Sequence, residues 1–95
     1  MSLPEYARFL RQFQWTEAQL RASFERKGYL PDELEAAIAR LKALRFLDDR
    51  RAAEAHARVA FAAKHSVAAV SRKLASLGVA TADVQAAVAR VEDEV

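Results

Sequence analysis

The chain has 95 residues, no cysteine and a formal net charge of +2. A chain without cysteine has neither disulfides nor thiolate metal ligands, which is compatible with the reducing cytoplasm where we expect this protein. No apolar run approaches the about 20 residues that span a bilayer, and the N-terminus lacks the basic and then apolar pattern of a signal peptide, so no membrane segment or leader is predicted.

The composition predicts an all-α fold. Glycine and proline occur only twice each, too rarely for the many turns of a β protein, and the strong helix formers Ala, Arg, Glu and Leu dominate. Apolar residues make up 53% of the chain, but many of them are alanines. Because large apolar side chains are sparse, the core must come from several helices packed together.

Three helices are predicted in the first half of the chain. The first runs from about Pro4 to Phe13, with proline in its first turn. The second begins at the N-cap Thr16, where Gln19 completes a capping box, and it ends at Gly28. The third opens at Pro31, followed by acids that complement the helix dipole. Helical spacing predicts as inward residues Tyr6, Phe9, Leu10, Phe13, Leu20, Phe24, Leu34, Ala37, Ile38 and Leu41, with Leu44 as a further candidate.

Three more helices are predicted in the second half, after a short linker at residues 45–49 that ends in an N-cap. The first runs from about Asp49 to Lys64. The second is capped by Ser66 and ends at Gly78, and the third is capped by Thr81. The predicted inward residues are Ala52, Ala55, Val59, Val84, Ala87, Val88 and Val91, with Ala62 and Ala63 as further candidates. The apolar residues of the second helix are Val67, Val70, Leu74 and Leu77.

The sequence aligns with itself without gaps when it is shifted by 50 residues. Gly28 falls on Gly78, residues 36–41 fall on residues 86–91, and apolar positions match in type, as Phe24 does with Leu74. A fixed period of this length is typical of repeat architectures. We therefore predict two tandem three-helix repeats, residues 1–47 and 48–95, which pack against each other because no low-complexity linker separates them.

The residues offer little for catalysis, a cofactor or a metal ion. Both glycines stand at predicted helix ends, so the sequence has no Gly-rich phosphate loop and no nucleophile elbow. His56 and His65 lack the further ligands that a zinc site requires. We expect a protein that is not an enzyme, with no catalytic residues, no metal, no cofactor and no small-molecule substrate.

Two local features have both a structural and a functional interpretation. Asp48-Asp49 could act as a carboxylate pair in acid–base chemistry or cation binding, but adjacent acids at a helix start are more often a cap and a dipole-complementing charge. Trp15 precedes the Thr16 cap, where a hydrophobic staple against Leu20 is expected. The alternative for Trp15 is an exposed aromatic that stacks on a nucleic-acid base.

The basic side chains are the main candidates for binding a partner. A solvated surface is the ordinary explanation for such residues. The groups do not superpose under the 50-residue shift, because one lies beside a predicted helix end and another nearer the middle of the matching helix. The candidate contact residues are Arg26, Lys27, Arg50, Arg51, Arg72 and Lys73.

The helix, glycine turn and helix from Thr16 to Leu44 could also be read as a DNA-binding helix–turn–helix. A recognition helix places its N-terminal residues between two rows of phosphates. Here those positions hold Asp32, Glu33 and Glu35. Carboxylates would be repelled by phosphate, so the sequence argues against base reading in the major groove and leaves backbone contact open.

Several of these features together resemble the signature of the RecX family. That signature has a Ser/Thr-x-x-Glu-Leu helix start, a Lys-Gly turn and a Leu-Asp-Asp segment that opens the next helix. The spacing from Gly28 through Asp48-Asp49 to Gly78 is more specific than any single motif. The matching residues are Thr16–Arg21, Phe24, Lys27-Gly28-Tyr29, Ile38, Leu41 and Arg45–Arg50, followed in the second unit by Val70, Leu74, Leu77-Gly78-Val79 and Val84.

The resemblance implies an all-α fold of tandem three-helix repeats, of which typical members carry three and this chain two. It also implies a cytoplasmic bacterial protein that lodges in the groove of the RecA–DNA filament. Such a protein blocks filament growth and dampens ATP hydrolysis, strand exchange and the co-protease function behind the SOS response. Two alternatives stay open from the residues alone: a module that binds nucleic acid without sequence specificity, and a helical module for another protein partner.

Overall fold

The computed structural model describes residues 14–94. Over this range the chain forms five α-helices and no strand, which confirms the all-α class. None of the five is long and apolar enough to cross a bilayer. The helix predicted at Pro4–Phe13 lies outside the described residues. The helices are α1 (Glu17–Arg26), α2 (Pro31–Ala43), α3 (Asp49–Ala62), α4 (Val67–Ser76) and α5 (Thr81–Asp93).

The start of α1 is the capping box that the sequence predicts. The Thr16 hydroxyl accepts the Gln19 N–H at 3.2 Å, and the Gln19 amide oxygen accepts the Thr16 N–H at 3.0 Å. Two orphan backbone donors are thereby satisfied. At the other end, Gly28 follows the helix in the left-handed conformation with φ of 85°, and Gly78 does the same after α4 with φ of 84°.

The caps of α3 and α4 are also as predicted. The carboxylate of Asp48 accepts the Arg51 N–H at 3.2 Å, and the hydroxyl of Ser66 accepts the Ala69 N–H at 3.2 Å. For Asp48 this contact confirms the capping interpretation.

The prediction that Thr81 caps the last helix is wrong. Thr81 is the first residue of α5, and the N-cap is Ala80, whose side chain makes no capping hydrogen bond. The position equivalent to Thr81 in the first half is Pro31, which is likewise the first residue of its helix. Two residues separate each glycine from the next helix. Helix α5 therefore begins at Thr81 itself, one residue earlier than a Thr81 cap would place it.

Part of the predicted inward face is also wrong. Val59 is 65% exposed, and Leu44, a further candidate, is 47% exposed. Helix α3 instead buries a face of small residues. Because alanine occurs on most sides of this helix, the spacing of apolar residues does not identify the buried face. Its buried residues are Ala52, Ala53, Ala57 and Ala60, whereas Ala55 is partly buried and Ala62 and Ala63 are exposed.

The apolar side chains form two separate clusters, one in each half of the described chain. Trp15 and Phe46 pack against the first cluster as partly buried residues, and for Trp15 this agrees with the staple interpretation. The first cluster contains Leu20, Phe24, Leu34, Ile38, Leu41 and Leu47. The second contains Ala53, Ala57, Ala60, Val70, Leu74, Val79, Val84, Ala87, Val88 and Val91.

The two halves meet where the start of α1 contacts the end of α4 and the start of α3. The Thr16 hydroxyl donates to the Leu77 carbonyl at 2.6 Å, and Thr16 is fully buried. The carboxylate of Asp49 accepts the Glu17 N–H at 2.7 Å, so a residue of α3 satisfies an orphan donor of α1. This contact region is called the junction below.

Gly78 brings the junction into close backbone contact. A Cβ atom built on Gly78 would lie 2.3 Å from the Cβ of Ala18, whereas one built on Gly28 would meet nothing within 4 Å. Glycine at position 78 therefore serves two needs, the left-handed turn and the close approach of α1.

The helices of the two halves correspond under the 50-residue shift. Helices α1 and α4 have 10 residues each, and α2 and α5 have 13 each, with starts 50 residues apart in both pairs. Gln14 and Lys64, which precede the matching caps, are both left-handed, with φ of 52° and 68°. The first helix of the predicted first repeat lies outside residues 14–94, so the three-helix unit and its boundaries stay predictions.

Candidate binding surface

The six predicted contact residues lie on three helix ends or faces. Arg26 is in the last turn of α1 and Lys27 is its C-cap residue. Arg50 and Arg51 are in the first turn of α3, and Arg72 and Lys73 are in the second half of α4. All six are exposed.

The two arginines of α3 are held by contacts within the chain. The guanidinium of Arg50 pairs with the carboxylate of Asp83 at 3.1 Å. The guanidinium of Arg51 donates to the carbonyls of Arg45 and Phe46 at 3.4 and 3.5 Å. Arg50 links the first turn of α3 to the first turn of α5, and Arg51 links the first turn of α3 to the linker. Both side chains thus have structural roles besides any role in binding.

Arg26, Arg72 and Lys73 are different, because within residues 14–94 none of their side chains takes part in an ion pair. An exposed cation without an internal partner keeps its full charge available for an acidic surface or a phosphate. On α4, Arg72 and Lys73 are neighbours in sequence and Arg72 lines a shallow groove with Ser71, Ala75 and Gln85. The α4 pair is therefore the strongest part of the predicted surface.

A larger polar cleft, of about 490 Å³, lies at the junction. Charged side chains of both signs line it, and they come from four helices and the linker. Lys42 pairs with Glu17 at 3.0 Å across its wall, and Arg21 bridges Glu17 and Glu35 nearby. The cleft is lined by Glu17, Lys42, Arg45, Leu47, Asp48, Asp49, Arg50 and Asp83.

Two carboxyl groups in the cleft have shifted pKa values of opposite sign. The hydrogen bond from Lys42 holds the pKa of Glu17 below its usual range, although burial opposes this shift. Burial raises the pKa of Asp49, and the nearby carboxylates of Glu17 and Asp83 raise it further, against the hydrogen bond from the Glu17 N–H. Asp49 is thus a half-buried acid that is costly to ionise in the folded chain.

The charges of the cleft wall do not favour a polyanion. Within residues 14–94 no group of three or more histidine or carboxylate side chains is arranged to hold a metal. Four carboxylates in its wall would repel nucleic-acid phosphates. We therefore read the cleft as a mixed-charge seam that joins the two halves and place the candidate binding surface on the unpaired cations outside it.

The histidines lie apart from the cleft lining. The Nε2 atom of His56 lies 3.1 Å from the Gln14 carbonyl, so His56 contributes to the contact between the halves. His65 is exposed in the turn before α4. These surroundings are those of ordinary structural and surface histidines.

The sequence reasoning missed the main role of Asp49. Its position beside the Asp48 cap suggested a dipole-complementing charge, but its carboxylate caps α1 from 32 residues away. A contact at that separation leaves no local spacing signal. The sequence gives one hint of this role. Asp48 alone is enough to cap α3, so the adjacent Asp49 is left for another partner.

Comparisons of the chain with protein-family models, with curated proteins and with solved structures found no match.

Proposed function

We propose that the chain is a RecX-like regulator that binds the RecA–DNA filament and inhibits its recombinase and SOS activities. The observation that carries the proposal is the resemblance of its sequence motifs to the RecX signature. In the structure Thr16 caps α1, Gly28 forms the turn that follows it and Asp48 caps α3, which is the local structure that these motifs predict.

The proposed mechanism is steric and electrostatic. The elongated molecule, with extents of 40 × 20 × 20 Å, would lie along the filament groove and bridge neighbouring subunits. Arg72 and Lys73, with Arg26 and Lys27, would contact acidic protein surface or DNA phosphates. Arg50, paired with Asp83, and Arg51, hydrogen-bonded to the linker carbonyls, would contribute to binding from the start of α3. The site of action would be the bacterial cytoplasm, in DNA repair and recombination.

The test is the ATPase activity of RecA on single-stranded DNA. Added in increasing amounts, the chain should slow ATP hydrolysis in proportion to the filament sites occupied. No effect at a many-fold excess over filament sites would overturn the proposal. The salt dependence of binding to DNA alone provides a second measurement, because a steep dependence without any effect on RecA would indicate a non-specific nucleic-acid-binding module instead.

A pair of matched variants tests the binding surface. The double variant R72E/K73E removes the α4 cations, and R40E/K64E makes the same change of charge at two exposed cations outside the predicted set. We expect the first to weaken inhibition of RecA by 10-fold or more, about 1.4 kcal/mol, and the second to weaken it far less. Equal losses would mean that only net charge matters and would contradict the assignment.

A further inference from the structure

The junction contains a contact in which a helix start docks on a glycine turn. Thr16 and Ala18 belong to the helix start, and Leu77 and Gly78 belong to the turn. The Thr16 hydroxyl donates to the Leu77 carbonyl at 2.6 Å, and the Ala18 Cβ occupies the space that a side chain at position 78 would need.

Each side of this contact has a counterpart 50 residues away in sequence. The turn at Gly28 has nearly the same φ as the turn at Gly78, 85° against 84°. Ser66 and Ala68 at the start of α4 stand where Thr16 and Ala18 stand at the start of α1. Both helices therefore have a hydroxyl side chain at the N-cap and alanine as the second helical residue.

Neither counterpart is covered within residues 14–94. A Cβ on Gly28 would meet nothing within 4 Å. Ser66 and Ala68 are exposed, whereas Thr16 is fully buried. Among the described residues five large apolar side chains are exposed, and three of them flank these two surfaces: Tyr29 and Leu30 beside Gly28, and Val67 between Ser66 and Ala68. Exposed apolar side chains at such positions indicate an interaction surface.

We propose that two copies of this chain associate head to tail, with the start of α4 in one copy docked on the Gly28 turn of the next. The contact would repeat the junction, with Ser66 in the place of Thr16, Ala68 in the place of Ala18 and Gly28 in the place of Gly78. Such an interface is heterologous, since each copy contributes a different surface, and it leaves one surface of each kind open for further copies.

The association is expected to be weak. The junction operates within one chain, so its two sides are held at a high effective concentration. Within the junction the carboxylate of Asp49 also caps α1, a hydrogen bond that the three paired positions do not themselves supply. Weak association calls for measurements up to about 1 mM protein.

Two single variants and one control test the proposal by sedimentation equilibrium. Asparagine tolerates the left-handed conformation, so G28N adds a side chain to the turn with little cost to the fold. A68E places a charge on the exposed start of α4, and A39E makes the same change on an exposed part of α2. The wild type and A39E should show an average mass that rises with concentration, and G28N and A68E should stay monomeric, with melting temperatures recorded for all four.

Mixing the two variants gives the sharper result. G28N retains the α4 start and A68E retains the Gly28 turn, so each alone is monomeric but an equimolar mixture should form dimers and nothing larger. A mixture that stays monomeric while the wild type associates would overturn the head-to-tail arrangement. A wild type that stays monomeric at about 1 mM would overturn self-association altogether. This inference does not depend on any action on RecA, so the two proposals can fail separately.

Discussion

At the scale of single residues, the two glycines share a backbone conformation but not their surroundings. Both have positive φ, so alanine at either position should cost about 1–2 kcal/mol of strain. At Gly78 the new Cβ would also collide with Ala18, 2.3 Å away, whereas at Gly28 it meets open space. We expect Gly78→Ala to lower the free energy of unfolding by about 1–3 kcal/mol more than Gly28→Ala, since overpacking adds that much.

Urea denaturation of the two variants measures this difference. The second substitution Ala18→Gly removes the colliding methyl group, so it should restore part of the stability lost in Gly78→Ala and none of that lost in Gly28→Ala. Equal losses for the two glycine variants would show that α1 does not approach the turn as closely as described.

Asp49 makes a prediction about pH. Burial raises its pKa, so in the folded chain the protonated form is favoured. The stability that this preference provides is present in full below the unfolded pKa and is lost as the pH rises through the raised folded value. The variant Asp49→Asn keeps an oxygen for the Glu17 N–H without the charge. It should be more stable than the wild type at pH 7, and this advantage should shrink as the pH falls.

Thermal melts of both proteins between acidic and neutral pH test the sign. Asp49→Ala is the control, because it removes the hydrogen bond together with the charge and should be less stable than Asp49→Asn at every pH. An advantage of Asp49→Asn that grows on acidification would contradict the buried-acid interpretation. Glu17 should show the opposite dependence, since its lowered pKa stabilises the fold above the unfolded pKa and stops doing so as the pH falls through the folded value.

At the scale of elements, α3 packs through alanines, and small residues let α4 and α5 approach it closely. Ala57 is fully buried in the second core, whereas Ala62 is exposed on the same helix. Ala57→Leu should therefore lower the free energy of unfolding by about 1–3 kcal/mol through overpacking. Ala62→Leu should change it by no more than about 0.5 kcal/mol. Chemical denaturation of both variants gives the comparison, and a neutral Ala57→Leu would contradict the assigned inward face.

At the scale of the whole molecule, two small cores are coupled through the junction. Trp15 is the only tryptophan of the chain and packs against the first core, so its fluorescence reports on that half, whereas circular dichroism reports on all helices. In the wild type the two signals should unfold together. In Gly78→Ala, which weakens the junction, the fluorescence midpoint should fall below that of circular dichroism, because two coupled units lose cooperativity when the interface between them is damaged.

Coincident transitions in Gly78→Ala would mean that the halves remain one cooperative unit despite the damaged contact. Gly28→Ala provides the matched control, since it strains a turn of the same conformation away from the junction and should leave the two signals together.

The sequence by itself determined the elements of the described chain. The caps Thr16, Asp48 and Ser66 and the two glycine turns lie where it predicts, because capping and left-handed turns depend on residues within a few positions of one another. It also predicted most of the α1, α2 and α5 faces, since large apolar residues there repeat at helical spacing.

The tertiary structure decided what the helices do to one another. Local spacing cannot orient the alanine-rich α3, and it cannot show that Asp49 caps a helix 32 residues earlier or that Gly78 receives Ala18. It also cannot separate Arg50, which pairs with Asp83, from Arg72, which has no ion-pair partner within residues 14–94. These properties depend on contacts between residues far apart in the chain, and such contacts exist only once the two halves are folded against each other.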